Sequence, residues 1–137
     1  MSSWSAVRLI WFAGGIHAGI VLANVPLPRQ LRVREGMAWV PRFLRQIFYV
    51  HWFYIVLMVG GFSALCFGFA HDLAGASSVG RFLSGFLAGF WLLRIVLQCF
   101  YYDLEVRRAH RVLDTVYVLS LVCLIGIFTW FSIHPVR

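Results

Sequence analysis

Charged residues are scarce in this chain of 137 residues. Only 12% of the residues are charged, 61% are hydrophobic, and the mean hydropathy is +0.82. Soluble domains are usually about 45–50% apolar and about 25% charged, so the composition excludes an ordinary soluble domain. It also excludes a disordered chain, because a sequence with 18% aromatic residues and so few charges cannot stay solvated.

Cysteine is rare as well. Cys66, Cys99 and Cys123 lie far apart within apolar stretches, where a thiol usually packs as a small hydrophobe. The spacing predicts neither a disulfide nor a cysteine metal site. The sequence has no P-loop, no G-x-S-x-G and no H-E-x-x-H motif, so nothing in it indicates nucleotide binding, acyl transfer or zinc hydrolysis.

The hydrophobic residues form four long runs. They cover residues 9–27, 46–70, 80–102 and 115–133, and each is close to or above the roughly 20 residues that a spanning helix needs. In lipid only helices and closed barrels satisfy the backbone, and the short alternating segments of a barrel are absent. The sequence therefore predicts a single domain of the all-α class, an integral membrane bundle of four antiparallel helices.

Lysine is missing, and arginine supplies all twelve basic residues. Two connections carry most of them, the first holding Arg29, Arg32, Arg34, Arg42 and Arg45, and the second Arg107, Arg108 and Arg111. Only Arg8, Arg81 and Arg137 fall on the other side. This bias predicts a bacterial-type inner membrane protein with both Arg-rich connections in the cytoplasm and both termini outside. We expect anionic headgroups of the lipid bilayer, and no nucleic acid, as the partner of these charges.

Two histidines and one arginine lie well inside the runs. His17, His51 and Arg94 are each about eight residues from the Arg-rich side, or roughly 12 Å at 1.5 Å per residue. Such residues are costly in a bilayer and usually mark a functional site. Helical spacing adds polar neighbours on each helix, namely Asn24, Tyr54, Gln98, Tyr101, Asp114, Tyr117 and Ser120. We therefore expect a shared polar pocket in the cytoplasmic half, with cofactor-binding residues His17, His51, Arg94, Tyr54, Gln98 and Asn24.

The chemistry of these residues favours a redox ligand, haem b or a quinone, and leaves other functions as alternatives. Imidazole is a common axial ligand of haem iron, so His17 and His51 could clamp haem b beside Gly14, Gly15 and Gly19. A haem propionate or a quinone oxygen would then interact with the charged guanidinium of Arg94. The protein would be a small electron-transfer subunit. Alternatively, the histidines hydrogen-bond across the bundle and Arg94 snorkels to the interface.

Two other functional classes fit the same residues. One is a non-catalytic accessory or assembly subunit of a larger membrane complex, and the other is an enzyme or carrier for a lipid or small molecule. Recurrent small residues such as those of Gly85 to Gly89 allow close helix packing within one chain or between copies, so a homo-oligomer is also open.

Two further sets of residues are interpreted as structural. The turn from Asp103 to Arg111 is predicted to be a solvated, self-paired helix end. The six tryptophans are expected in interfacial belts or lipid-facing packing, and they are Trp4, Trp11, Trp39, Trp52, Trp91 and Trp130.

Overall fold

The computed structural model describes residues 2–26, 29, 33–100 and 111–136. Tyr101 and the turn from Asp103 to His110 lie outside the described residues. Six helices lie within the described part of the chain: α1 (Ser3–Asn24), α2 (Val33–Gly36), α3 (Arg42–Gly68), α4 (Ala70–Ala74), α5 (Ser78–Phe100) and α6 (Arg111–Ile133).

Four of these helices, α1, α3, α5 and α6, are long and apolar enough to cross a membrane. They have 22, 27, 23 and 23 residues, and each coincides with one of the four predicted runs. The prediction of an all-α four-helix bundle is confirmed. The helices begin before the apolar runs, because polar and basic residues at their starts continue the helix into the interface.

The ends of the helices follow local signals. The Ser2 hydroxyl accepts a hydrogen bond from the Ser5 amide at 3.3 Å and caps the start of α1. Two residues after α1 ends, Pro26 lacks the amide hydrogen that a further helical turn needs. Pro41 precedes α3, a position that proline tolerates because the first amides of a helix have no partner within it.

The two ends of the bundle differ in composition. The end of α1, the start of α3, the end of α5 and the start of α6 share what we name the Arg-rich end. The other end carries both chain termini and α4, and we name it the terminal end. There the amide of Val136 donates to the carbonyl of Ala74 at 2.8 Å, and the ring of Trp4 lies 6.4 Å from that of His71. A hydrogen bond and a ring contact therefore join the elements at the terminal end.

The helices pack as two pairs, α1 with α3 and α5 with α6, and α1 also contacts α6. The buried positions lie mainly toward the terminal end, from Ala6 to Ile20 in α1, Val59 to Cys66 in α3, Gly80 to Trp91 and at Gln98 in α5, and Leu121 to Phe131 in α6. The core is therefore centred in the half of the bundle next to the termini, and few side chains are buried near the Arg-rich end.

Helix α3 is longer than its partner α1. Near the end of α1 the indole nitrogen of Trp52 donates to the carbonyl oxygen of Asn24 at 3.3 Å. Residues 42–51 of α3 precede this contact, and at 1.5 Å per residue they extend about 15 Å beyond it. We name this segment the arm. No residue between positions 42 and 58, all of which the structure describes, is buried, so the described part of the chain leaves the arm largely exposed.

Candidate functional site

The buried polar centre of the bundle is a pair of side chains, His17 of α1 and Trp91 of α5. Nδ1 of His17 lies 2.7 Å from the carbonyl oxygen of Ala13, one turn earlier in α1. The indole nitrogen of Trp91 donates to Nε2 of His17 over 3.0 Å. A carbonyl can only accept and an indole N–H can only donate, so His17 is a neutral imidazole with its proton on Nδ1.

Aromatic rings enclose this imidazole. Its centroid lies 5.4 Å from that of Trp91, 5.9 Å from that of Phe62 and 5.9 Å from that of Phe128. The Sγ atom of Cys66 approaches Nδ1 at 4.0 Å. His17 and Cys66 are 0% exposed and Trp91 is 2% exposed. All four long helices thus contribute to the packing around His17, and the imidazole is sealed from lipid and water.

Next to this pair, α1 and α3 approach closely at Gly14. The Ser63 hydroxyl of α3 donates to the carbonyl oxygen of Gly14 at 2.9 Å. A Cβ atom at Gly14 would lie only 3.0 Å from Cβ of Cys66 and 3.1 Å from Cε2 of Phe67. The sequence favours helix packing for the glycines of α1 and leaves room for a cofactor as the alternative, and Gly14 gives room to a neighbouring helix.

A second polar cluster joins α5 and α6 near the Arg-rich end. The Gln98 amide donates to Oδ1 of Asp114 at 2.8 Å. The guanidinium carbon of Arg94 lies 5.5 Å from the ring centroid of Tyr117, within the range of a cation–π contact. Four of the residues expected in the polar layer are therefore brought together. Arg94 follows Trp91 by three residues, so it lies about one turn closer to the Arg-rich end than the His17 pair.

The structure does not bring the other predicted pocket residues into this interior. The side chain of His51 is exposed, and its Nδ1 bonds only to the carbonyl oxygen of Ile47 in its own helix, at 3.1 Å. Tyr54 is 63% exposed. The Asn24 amide donates to the carbonyl oxygen of Ile20 in its own helix at 2.7 Å. The six residues thus separate into a buried histidine, an α5–α6 cluster, an exposed face of α3 and Asn24 at the end of α1.

These positions do not fit a haem clamped by His17 and His51. Nε2 of His17 already accepts from Trp91 and Nδ1 already donates to Ala13, so neither nitrogen has a lone pair to offer iron. His51 lies on an exposed face, while His17 is enclosed by rings. Among the described residues there is also no group of three or more His, Cys, Asp or Glu that could hold a metal ion.

The expectation that all six tryptophans lie at interfaces or face lipid is wrong for Trp91, which lies in the core. A signal for its position was present in the sequence, because the polar residues Ser84, Arg94 and Gln98 lie seven, three and seven residues from Trp91 and share its side of α5. Trp52 is half-buried and contacts the end of α1, a position in keeping with an interfacial tryptophan.

A surface cavity of about 360 Å³ lies on the arm, lined by Arg42, Arg45, Gln46 and Tyr49. We name these four side chains the basic face. A smaller cavity of about 210 Å³ lies at the terminal end, between the start of α1, α4 and Val136. In the described part of the chain no buried side-chain nitrogen or oxygen lacks a hydrogen-bond partner. The polar groups of the core therefore serve the packing of this structure, and the open polar surface lies on the arm.

Comparison of the chain with protein-family models, with curated proteins and with solved structures finds no match. The argument for a function therefore starts from the arrangement of these side chains.

Proposed function

We propose that this protein is a non-catalytic accessory subunit of a larger membrane complex, and that the arm is its attachment element. The observation that carries the proposal is the exposure of the apolar side chains of the arm, which extends beyond the end of its partner helix. A bundle that only had to fold in lipid would not need this extension.

The lengths of the helices support this position of the arm. At 1.5 Å per residue the 22 residues of α1 are about 33 Å long, close to the roughly 30 Å of a hydrocarbon core. The Trp52 indole contacts the end of α1, and tryptophan is enriched at the boundary of the bilayer. On this alignment the arm extends into the headgroup layer and beyond it.

One side of the arm is apolar. Phe43, Leu44, Ile47 and Phe48 are 69%, 51%, 37% and 38% exposed, and their spacing places them on adjoining faces of the helix. Outside the hydrocarbon such a surface must be covered to avoid contact with water. A hydrophobic groove on another membrane protein would cover it, in the way that grooves receive amphipathic helices.

The buried residues support a structural role for the bundle. Both nitrogens of His17 are used within the protein, and the thiol of Cys66 is enclosed with it. A general base or a nucleophile must reach its substrate, and neither side chain is accessible in the packed core. The hydrogen bonds of His17 instead hold α1 and α5 in register, which a rigid attachment subunit requires.

Site-specific photo-crosslinking tests the proposal. A photoreactive phenylalanine analogue is placed at Phe43 in the arm and, in a matched variant, at Phe82 of α5, which is 72% exposed against 69% for Phe43. The full-length chain is expressed in its own host membranes and purified in mild detergent. We expect the probe at Phe43, and not at Phe82, to capture one membrane protein that also copurifies with the unmodified chain at a fixed ratio.

The interface is then tested by introducing a charged residue into it. Phe43→Glu should abolish the copurification and Phe82→Glu should not, with both variants still folded by circular dichroism. Capture of lipid alone at Phe43, or a chain that purifies by itself, would overturn the proposal. Capture of a second copy of this chain would also overturn it and would indicate a homo-oligomer instead.

A further inference from the structure

We propose that the basic face of the arm binds the phosphate group of an anionic phospholipid from the adjoining leaflet. The proposal rests on the alignment of the arm with the bilayer that was argued for the proposed function, but it concerns the polar side of the arm and not the apolar side that would meet a protein partner. It rests on the cavity, on the donors that line it and on the balance of charge around it.

The four lining residues share one side of a helix. Arg42, Arg45, Gln46 and Tyr49 are spaced three, four and seven residues apart, the spacing that brings side chains onto a common face. From the first to the last they span about 10 Å along the axis. The cavity of about 360 Å³ between them is open to the surface, so a headgroup can enter from the bilayer side without any rearrangement of the core.

All four side chains can donate hydrogen bonds to a phosphate. Arginine has five N–H donors in a planar fork that matches a phosphate group, and the glutamine amide and the tyrosine hydroxyl donate as well. A carboxylate in the cavity would compete with such a ligand, yet among the residues that the structure describes no acidic one lines it. The set of donors thus fits a bound anion.

The surrounding charge favours an anion too. Glu35 is the only acidic residue in the first 71 positions, whereas five arginines lie between residues 29 and 45. The arm lies on the headgroup side of the bilayer boundary argued above, where lipid phosphates are concentrated. Basic residues next to a spanning helix are attracted to anionic leaflets. A phospholipid also holds its phosphate at the membrane surface, which free phosphate does not.

The proposal is tested with the full-length protein, stripped of lipid in detergent and titrated with phosphatidylglycerol or with phosphatidylcholine while binding is followed by native mass spectrometry. The test variant is Arg42→Gln/Arg45→Gln. The matched control is Arg29→Gln/Arg111→Gln, which removes the same charge from exposed positions at the same end. A third arm adds inorganic phosphate as a competitor.

We expect the wild type to prefer phosphatidylglycerol and the test variant to bind it more weakly by roughly thirtyfold or more, because it loses two charge-assisted hydrogen bonds to the phosphate. The control should lose less than threefold, and millimolar inorganic phosphate should not displace the lipid. Equal losses in the two variants would show general charge attraction and overturn the site. Unchanged binding in the test variant, equal binding of phosphatidylcholine, or displacement by free phosphate would overturn it as well.

Discussion

The indole nitrogen of Trp91 donates to Nε2 of His17 over 3.0 Å, and this bond joins α1 to α5 in the centre of the bundle. The bond lies among Phe62, Phe90 and Phe128 with no access to lipid or water. A buried acceptor without its donor is costly, whereas a satisfied pair contributes a moderate net stabilisation. The pair therefore determines how the two helix pairs meet.

Removal of the donor should destabilise the protein. We expect Trp91→Phe to lower the free energy of unfolding by about 2 kcal/mol, because Nε2 of His17 loses its partner and the smaller ring leaves space. The measurement is unfolding in dodecyl sulfate from bicelles, followed by circular dichroism. Trp130→Phe is the control, since Trp130 is 51% exposed and its variant should change the value by less than about 0.5 kcal/mol.

The same pair predicts an energetic coupling between substitutions at His17 and Trp91. In His17→Phe/Trp91→Phe both polar groups are absent, so the double variant should be less destabilised than the sum of the two single variants, by about 1 kcal/mol. Strict additivity would contradict the hydrogen bond.

Two adjacent glycines should respond differently to alanine. A Cβ atom at Gly14 meets Cβ of Cys66 at 3.0 Å, whereas one at Gly15 has no atom within 4 Å among the described residues. We expect Gly14→Ala to cost about 1–3 kcal/mol through overpacking between α1 and α3. Gly15→Ala should be neutral or slightly stabilising because alanine favours helix. The same unfolding assay measures both, and equal effects would contradict the close approach at Gly14.

The arm should be accessible from one side of the membrane. In a background with Cys66, Cys99 and Cys123 replaced by alanine, Gln46→Cys should react with a membrane-impermeant maleimide at least tenfold faster than Leu57→Cys. Position 46 lies before Trp52, outside the hydrocarbon on the proposed alignment, while a thiol at position 57 is held in lipid and stays protonated. If the termini face outside as predicted, the label reaches residue 46 in inverted vesicles and not in intact cells. Equal rates at both positions would contradict the projecting arm.

Haem binding can be tested by absorption. Since both nitrogens of His17 are engaged and His51 is exposed, we expect the purified protein to show no Soret band, either as isolated or after incubation with haemin and removal of the unbound haemin. A band that is present in the wild type and lost in both His17→Ala and His51→Ala would contradict this expectation and support the bis-histidine hypothesis.

The sequence was sufficient for the spanning helices and for part of the polar cluster. Arg94 and Gln98 are four residues apart, so any helix places them on one side. Asp114 and Tyr117, at the start of the next span, are three residues apart and also share a side. Because these two helices pack side by side as a pair, the two polar sides meet. The prediction of this cluster needed only helical geometry and proximity.

The depth and direction of the histidines could not be obtained in the same way. The prediction of equal depth assumed that all helices end at the same level, but α3 extends past α1 by the length of the arm, which places His51 next to Trp52 and so level with the end of α1. The direction of His51 also had to be chosen, because α3 carries apolar residues on all sides around that position.

The amino-acid sequence alone thus determined that the chain forms four apolar helices, because a bilayer demands about 20 apolar residues and an internally bonded backbone from each span. It did not determine which sides of those helices face one another. Lipid tails are as apolar as the core, so hydrophobicity does not orient a helix within the membrane. The tertiary structure decided how the helices face one another. It did so through the close packing at Gly14, the bond from Trp91 to His17 and the unequal lengths of α1 and α3, which depend on shape and directed hydrogen bonds.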